Sequence, residues 1–305
     1  MRTPARRPHV APAIVALAIV VPLGAFVIAG CSGVIGESTA RETRDLSLVG
    51  YSSHVVRVEL FNGEVSVRPG PDGRVGASVT VTGAGATRPD AEADRARVVT
   101  TLQETADAVV LRAVYQPDPT NPRNRGASAT MTVPAGSALE LATSNGKVSV
   151  VGITGAIRIR TSNGETTIDG ATAGVDAETS NSAITVTASR GPLALTSSNG
   201  KIRIDAADAA VKATTSNGEI AFSGSLAAGP HSFETSNAAI SLKLGADATF
   251  SLDLETSNAK VRVGYPVTTT ETAAETRLAG RVGDAPAVSI SARTSNAGIS
   301  IQPAQ

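Results

Sequence analysis

A fragment reading Thr-Ser-Asn returns along this chain at a nearly fixed step, and that step restricts the fold more than any other feature. Asn145, Asn163, Asn181, Asn199 and Asn217 follow one another every 18 residues, and Asn237, Asn258 and Asn296 come after steps of 20, 21 and 38. Self-similarity at about 20 residues marks a stacked repeat, in which each unit buries its apolar face only against its neighbours.

The flanks of each asparagine alternate with period two. Three and five residues later stand pairs such as Val148/Val150, Ile202/Ile204 and Ile240/Leu242; six and four residues earlier stand pairs such as Leu139/Leu141 and Leu193/Leu195. Each repeat therefore holds two short strands with one buried face. A meander of hairpins would alternate as well, but its outward positions would have no reason to match their counterparts one repeat on. Here they match. Glu140, Arg158 and Asp176 share one outward row, and Lys147 and Glu165 share another, with opposite signs wherever adjacent coils are both charged. Like charges directly opposite destabilise a sheet, so the pattern predicts parallel, in-register coils. The expected fold is all-β: a single-stranded parallel β-solenoid, right-handed, with about 18–21 residues per coil.

Asparagine and the following glycine (Gly146, Gly164, Gly200, Gly218) suit a sharp corner, because both tolerate positive φ. Stacked at that corner, Asn145, Asn163, Asn181, Asn199, Asn217, Asn237, Asn258 and Asn296 form an amide ladder of the kind seen in cross-β stacks, with Thr143 and its counterparts beside it. Such a ladder is corner scaffolding first and a linear binding edge second. Composition agrees with a thin core: 29 Gly, no Trp, 3 Tyr and 5 Phe in 305 residues.

The N-terminus carries Arg2, Arg6 and Arg7, then an apolar run over 11–27, then Ile28-Ala29-Gly30-Cys31. This resembles the bacterial lipobox, in which the cysteine is lipidated and becomes the first residue after cleavage. Cys31 is the chain's only cysteine, so no internal disulfide is possible. The resemblance implies a signal peptide over 1–30, acylation (palmitate among the chains) at Cys31 and a lipid-anchored protein on the extracytoplasmic side of a bacterial cell membrane. Residues 31–50 read as a flexible tether, 51–135 as an N-terminal β cap and 136–305 as the regular coils, with one degenerate coil between Val263 and Val288. Asn62 shows the repeat grammar once, inside the cap. His231 is placed at a strand start with its ring reaching solvent.

The mature chain, without the leader's three arginines, has a net charge of −3, which leaves no basic footprint for nucleic acid. No outer row gathers acids, no aromatic platform awaits a sugar, and no calcium nonapeptide or phosphate loop occurs. No cofactor, metal or catalytic residue is expected.

The copies of Thr-Ser-Asn-Gly-Lys-Val-Ser-Val at 143–150, and Val133-Pro134-Ala135-Gly136 before them, resemble a bacterial family known as putative adhesins or as a domain of unknown function. That resemblance spans about residues 55–301. It implies a secreted or membrane-anchored, non-catalytic interaction module facing a cell-envelope protein or glycan, with some relatives linked to envelope stress. A scaffold assembling end to end is the alternative, favoured by a last coil at Ile299 and Ile301 with little sequence after it to cover it; a polysaccharide-active β-helix enzyme ranks below both.

Overall fold

The computed structural model describes residues 37–116, 125–270 and 274–304; the leader and Cys31 lie outside them. The repeats fold as the alternation requires. Each coil runs along one face, turns at the asparagine, returns along the opposite face and turns again at a looser corner. Equivalent residues 18 apart are direct partners in parallel ladders: Ile157 lies between Leu139 and Val175, and Thr166 between Val148 and Ile184. The core is the slot between the two faces. Ile159, Ile168, Ile184 and Ile202 are fully buried there, whereas Arg158 and Arg203 point outward.

Chain order and spatial order part company at both ends. The first coil, Val55–Glu59 and Val65–Pro69, stacks on Ala138–Thr143 and Val148–Val151 on one side. On its other side lie Val109–Tyr115 and Gly126–Val133, so it sits inside the stack. Likewise the last coil, Val288–Thr294 and Ile299–Pro303, is inserted between Gly229–Glu234 with Ile240–Leu244 and Phe250–Thr256 with Val261–Val263. The bare terminal coil expected at Ile299 and Ile301 is therefore an interior one. Both Ile299 and Ile301 are buried with partners on each side.

Three further expectations are corrected. Ser38–Val49, assigned to a flexible tether, is a 12-residue strand antiparallel to Arg74–Gly85. Leu46 and Leu48 are buried, but Glu42 and Arg44 share their face and Arg41 and Asp45 lie on the other, so no apolar alternation marks the strand in sequence. The stretch read as a degenerate coil instead folds back. Arg277–Val282 runs antiparallel to Phe250–Thr256, and Thr268–Thr269 pairs with it in turn. Finally, the N-terminal cap contains a helix, Arg88–Arg95. Thr87 caps it: the hydroxyl accepts from the Asp90 amide while the Asp90 carboxylate accepts from the Thr87 amide, and a proline enters the first turn. Gly83 and Gly85 let it lie close, since a Cβ on Gly83 would stand 2.3 Å from the Arg95 nitrogen.

Candidate functional site

The eight asparagines named from the repeat meet in one line, together with Asn62. Each side-chain amide donates to the next: Asn163 to Asn145, Asn181 to Asn163, Asn199 to Asn181, Asn217 to Asn199 and Asn237 to Asn217, all at 2.6–2.7 Å. Asn145 donates to Asn62. Beyond Asn237 the line follows space rather than sequence. Asn296 donates to Asn237 and Asn258 donates to Asn296. All eight bonds point the same way along an exposed edge.

The backbone holds this line in register. The Asn163 amide donates to Ser144 oxygen at 2.9 Å, and the Asn181 amide to Ser162 oxygen at 3.0 Å. Beside them, Thr143, Thr179, Thr215, Thr235, Thr256 and Thr294 are buried, and each hydroxyl donates to a carbonyl of the adjacent coil. Thr161 and Thr215 also accept from Gly164 and Gly218 within their own corner. Burying a hydroxyl is costly unless it is bonded, so the threonine row works as a second, internal ladder.

The reason for glycine at this corner differs from the one expected. Gly146, Gly164, Gly200 and Gly218 do not have positive φ. Coils approach so closely there that a Cβ on Gly200 would lie 1.7 Å from Ser182 oxygen, and one on Gly218 would lie 1.9 Å from Gly200 oxygen. Among the ladder asparagines only Asn62 has positive φ; otherwise positive φ belongs to the loose corner, at Gly152, Gly170, Gly174 and Gly191, with Ala188 and Asp208 also there.

Charges on the faces are engaged between coils. Arg57 pairs with Glu140 at 2.7 Å, Lys201 with Glu219 at 2.7 Å, and Asp176 with both Arg158 and Arg160 at 3.2 and 3.0 Å. The Arg160 guanidinium, with Arg158 behind it, holds the Asp176 carboxyl below its ordinary range. A shallow depression of about 610 Å³ runs across these coils beside the charged row, with small residues such as Ala156, Gly174, Pro192 and Ala210 along it.

Of two buried polar groups, the sequence reading misplaced His231 and missed Asp94. His231 is only 3% exposed rather than reaching solvent. Its Nδ1 accepts from the Val211 amide at 3.1 Å, and Nε2 faces Ala227 oxygen at 2.8 Å. The ring is thereby neutral with its proton on Nε2, and burial pushes its pKa below the ordinary value. Asp94, on the helix, is buried as well. Burial alone would raise its pKa, but bonds from Arg125, Tyr115 and the Ala84 amide prevail and lower it. Arg125 also lies over the Tyr115 ring, 5.0 Å from its centre. His231 stands in the inward phase six residues before Asn237, whereas Asp94 lies on the helix, outside any repeat, and no period announces it.

Among the described residues, no three His, Cys, Asp or Glu side chains gather to hold a metal ion, and no helix is long and apolar enough to cross a membrane.

Comparison with known proteins gives one match over most of the chain: the family model described as Toastrack DUF4097 matches residues 55–302. Two solved structures show similarity. One is a "putative cell adhesion protein" from Clostridium sporogenes, 9% identical, with TM-score 0.25, covering 86% of this chain and 100% of that one. The other is a "putative adhesin" from Bacteroides fragilis, 11% identical, with TM-score 0.40, covering 86% and 97%. No curated protein matches significantly.

Proposed function

The chain belongs to the Toastrack family, and from that premise we propose that it is a non-catalytic interaction module, held at the outer side of a bacterial membrane by lipid on Cys31. In this reading a right-handed stack of 18–21-residue coils serves as a stiff presenting rod. The ladder edge, or a face beside it, meets an envelope protein or glycan. The single supporting observation is how the polar surface is arranged. Many of its charges pair from coil to coil, while the exposed edge repeats one amide per coil without interruption from Asn62 to Asn258. Such an edge offers regular hydrogen-bonding capacity and no assembled general acid, base or nucleophile.

End-to-end assembly loses the observation that favoured it, because the last coil lies inside the stack. Antiparallel strands cover both faces at one end of the stack and the Phe250–Thr256 face at the other, and antiparallel additions of this kind close much of the template that a bare coil would offer.

Two measurements test the proposal. Cys31→Ala should abolish acyl labelling and move the protein out of the membrane fraction; labelling that persists would overturn the anchor. Retention of isolated envelope glycan or protein fractions by the immobilised chain should fall when Asn181 and Asn199 are both changed to Ala. Release of soluble sugars from those glycans would instead mean an enzyme.

A further inference from the structure

The depression on the face that precedes the asparagine corner has a pattern that stacking alone does not require. One strand that lines it presents Pro192, Ala194 and Thr196 outward, all small. On one side the next coils present Asp176 with Glu178, then Arg158 with Arg160. On the other side they present Lys212 with Thr214, then Ser232 with Glu234. Lys212 and Glu234 have no ion-pair partner among the described residues, unlike Asp176 and Arg160.

We propose that this face docks on the same face of a second copy, about a two-fold axis that lies along the strand through Ala194, so that the two stacks run antiparallel. This rotation carries each coil onto the coil equally far beyond Ala194. Asp176 then meets Lys212 of the second copy, and Arg160 meets Glu234 of the second copy, each pair occurring twice. Arg158 falls over Ser232, so a long side chain faces a short one. Ala156 and Gly174 face Pro230 and Ala210, all small, which lets the backbones close on one another. No like charges meet across these five coils.

Neighbouring registers fail on charge. Moving the axis half a coil toward Asp176 sets Arg158 against Lys212, and moving it half a coil toward Lys212 sets Glu178 against Glu234. A whole coil either way puts Asp176 or Lys212 on itself. Like-charge contacts of this kind select register.

Five coils and five residues of strand give a contact of about 400 Å² per partner, roughly half of the ~800 Å² usual for a stable complex. The dimer is therefore weak and salt-sensitive, and it forms when copies are concentrated, as on a membrane surface. It does not depend on the ladder having a ligand.

Site-specific cross-linking of the full chain in non-ionic detergent, with Cys31→Ser removing the native thiol, tests the geometry. Ala194→Cys sits on the axis and should form a disulfide-linked dimer on mild oxidation. Ala156→Cys alone should not, but mixing it with Pro230→Cys should give the heterodisulfide. Absence of the Ala194→Cys dimer, or equal dimer from Ala156→Cys, would overturn the proposal, and products of another mass would assign the face to a different protein. Because these variants could disturb folding, charge reversal supplies a second arm. In sedimentation of the otherwise native chain, Lys212→Glu should weaken association on the order of tenfold, since two contacts change at once. Adding Asp176→Lys should restore it, and Lys243→Glu on the opposite face should have no effect. Failure of the paired reversal to restore association, with thermal stability intact, would also overturn the dimer.

Discussion

At the scale of single residues, the stack divides neighbours sharply by direction. Ile204 is 1% exposed between Val186 and Phe222, whereas Arg203 faces solvent one position earlier. Ile204→Asp places an unpaired carboxylate in the slot and should unfold the central coils, while Arg203→Asp should cost little. Asn199→Ala loses two ladder bonds and should fall between them, at about 1–2 kcal/mol; thermal melts of the three variants check the order. His231 adds a pH dependence. Its pKa is lowered in the folded state, so the unfolded chain takes up the proton first as pH falls. The stability that neutral His231 contributes is complete above the unfolded value of about 6.5 and is lost as pH drops from there toward the folded pKa. Melting temperature should therefore decline between pH 7 and 5, and His231→Gln should show a shallower slope over that window. An unchanged slope would mean that another group governs the transition.

At the scale of strands and corners, register is the quantity that matters. Arg158 is the direct cross-strand partner of both Glu140 and Asp176, so Arg158→Glu lines up three acids about 4.8 Å apart. The groups are well exposed, so the expected loss is below about 1 kcal/mol and shrinks in salt. Adding Asp176→Arg should recover part of it. A double-mutant cycle in denaturant that shows no coupling would contradict in-register packing of these coils. The helix Arg88–Arg95 follows another rule, holding to the cap through Asp94, Tyr115 and Arg125. Its capping box and proline were legible as local signals at Thr87–Asp90. The alternation of the strands around it, however, drew the whole region into an all-strand reading.

At the scale of the molecule, the insertion of the last coil changes what a truncation does. Deleting residues 288–305 from a simple solenoid would remove one end coil and leave the rest. Here it removes the strands that join Gly229–Glu234 and Ile240–Leu244 to Phe250–Thr256 and Val261–Val263. Hydrogen exchange should then show residues 245–287 losing protection together, while residues 138–214 keep theirs. Protection retained across 250–282 would mean that this segment holds without the inserted coil. The same insertion explains why the ladder runs Asn237, Asn296, Asn258.

The sequence by itself determined the unit of this fold. A two-strand coil with an asparagine corner, inward Ile204 and outward Arg203, parallel stacking and matched charge rows all follow from periodicity, because each coil repeats the same local problem and solves it with the same residues. The tertiary structure alone decided the order of those units and the closure of their ends. Any coil's edge accepts any other coil's edge with nearly equal local geometry, so neither Asn296 nor Asn62 advertises its neighbour. Choice among these equivalent edges falls to contacts made once: Ser38–Val49 and Arg277–Val282 pair antiparallel at the ends, and His231 bonds two backbone groups where the 18-residue step breaks. Contacts made once leave no period for a sequence to display.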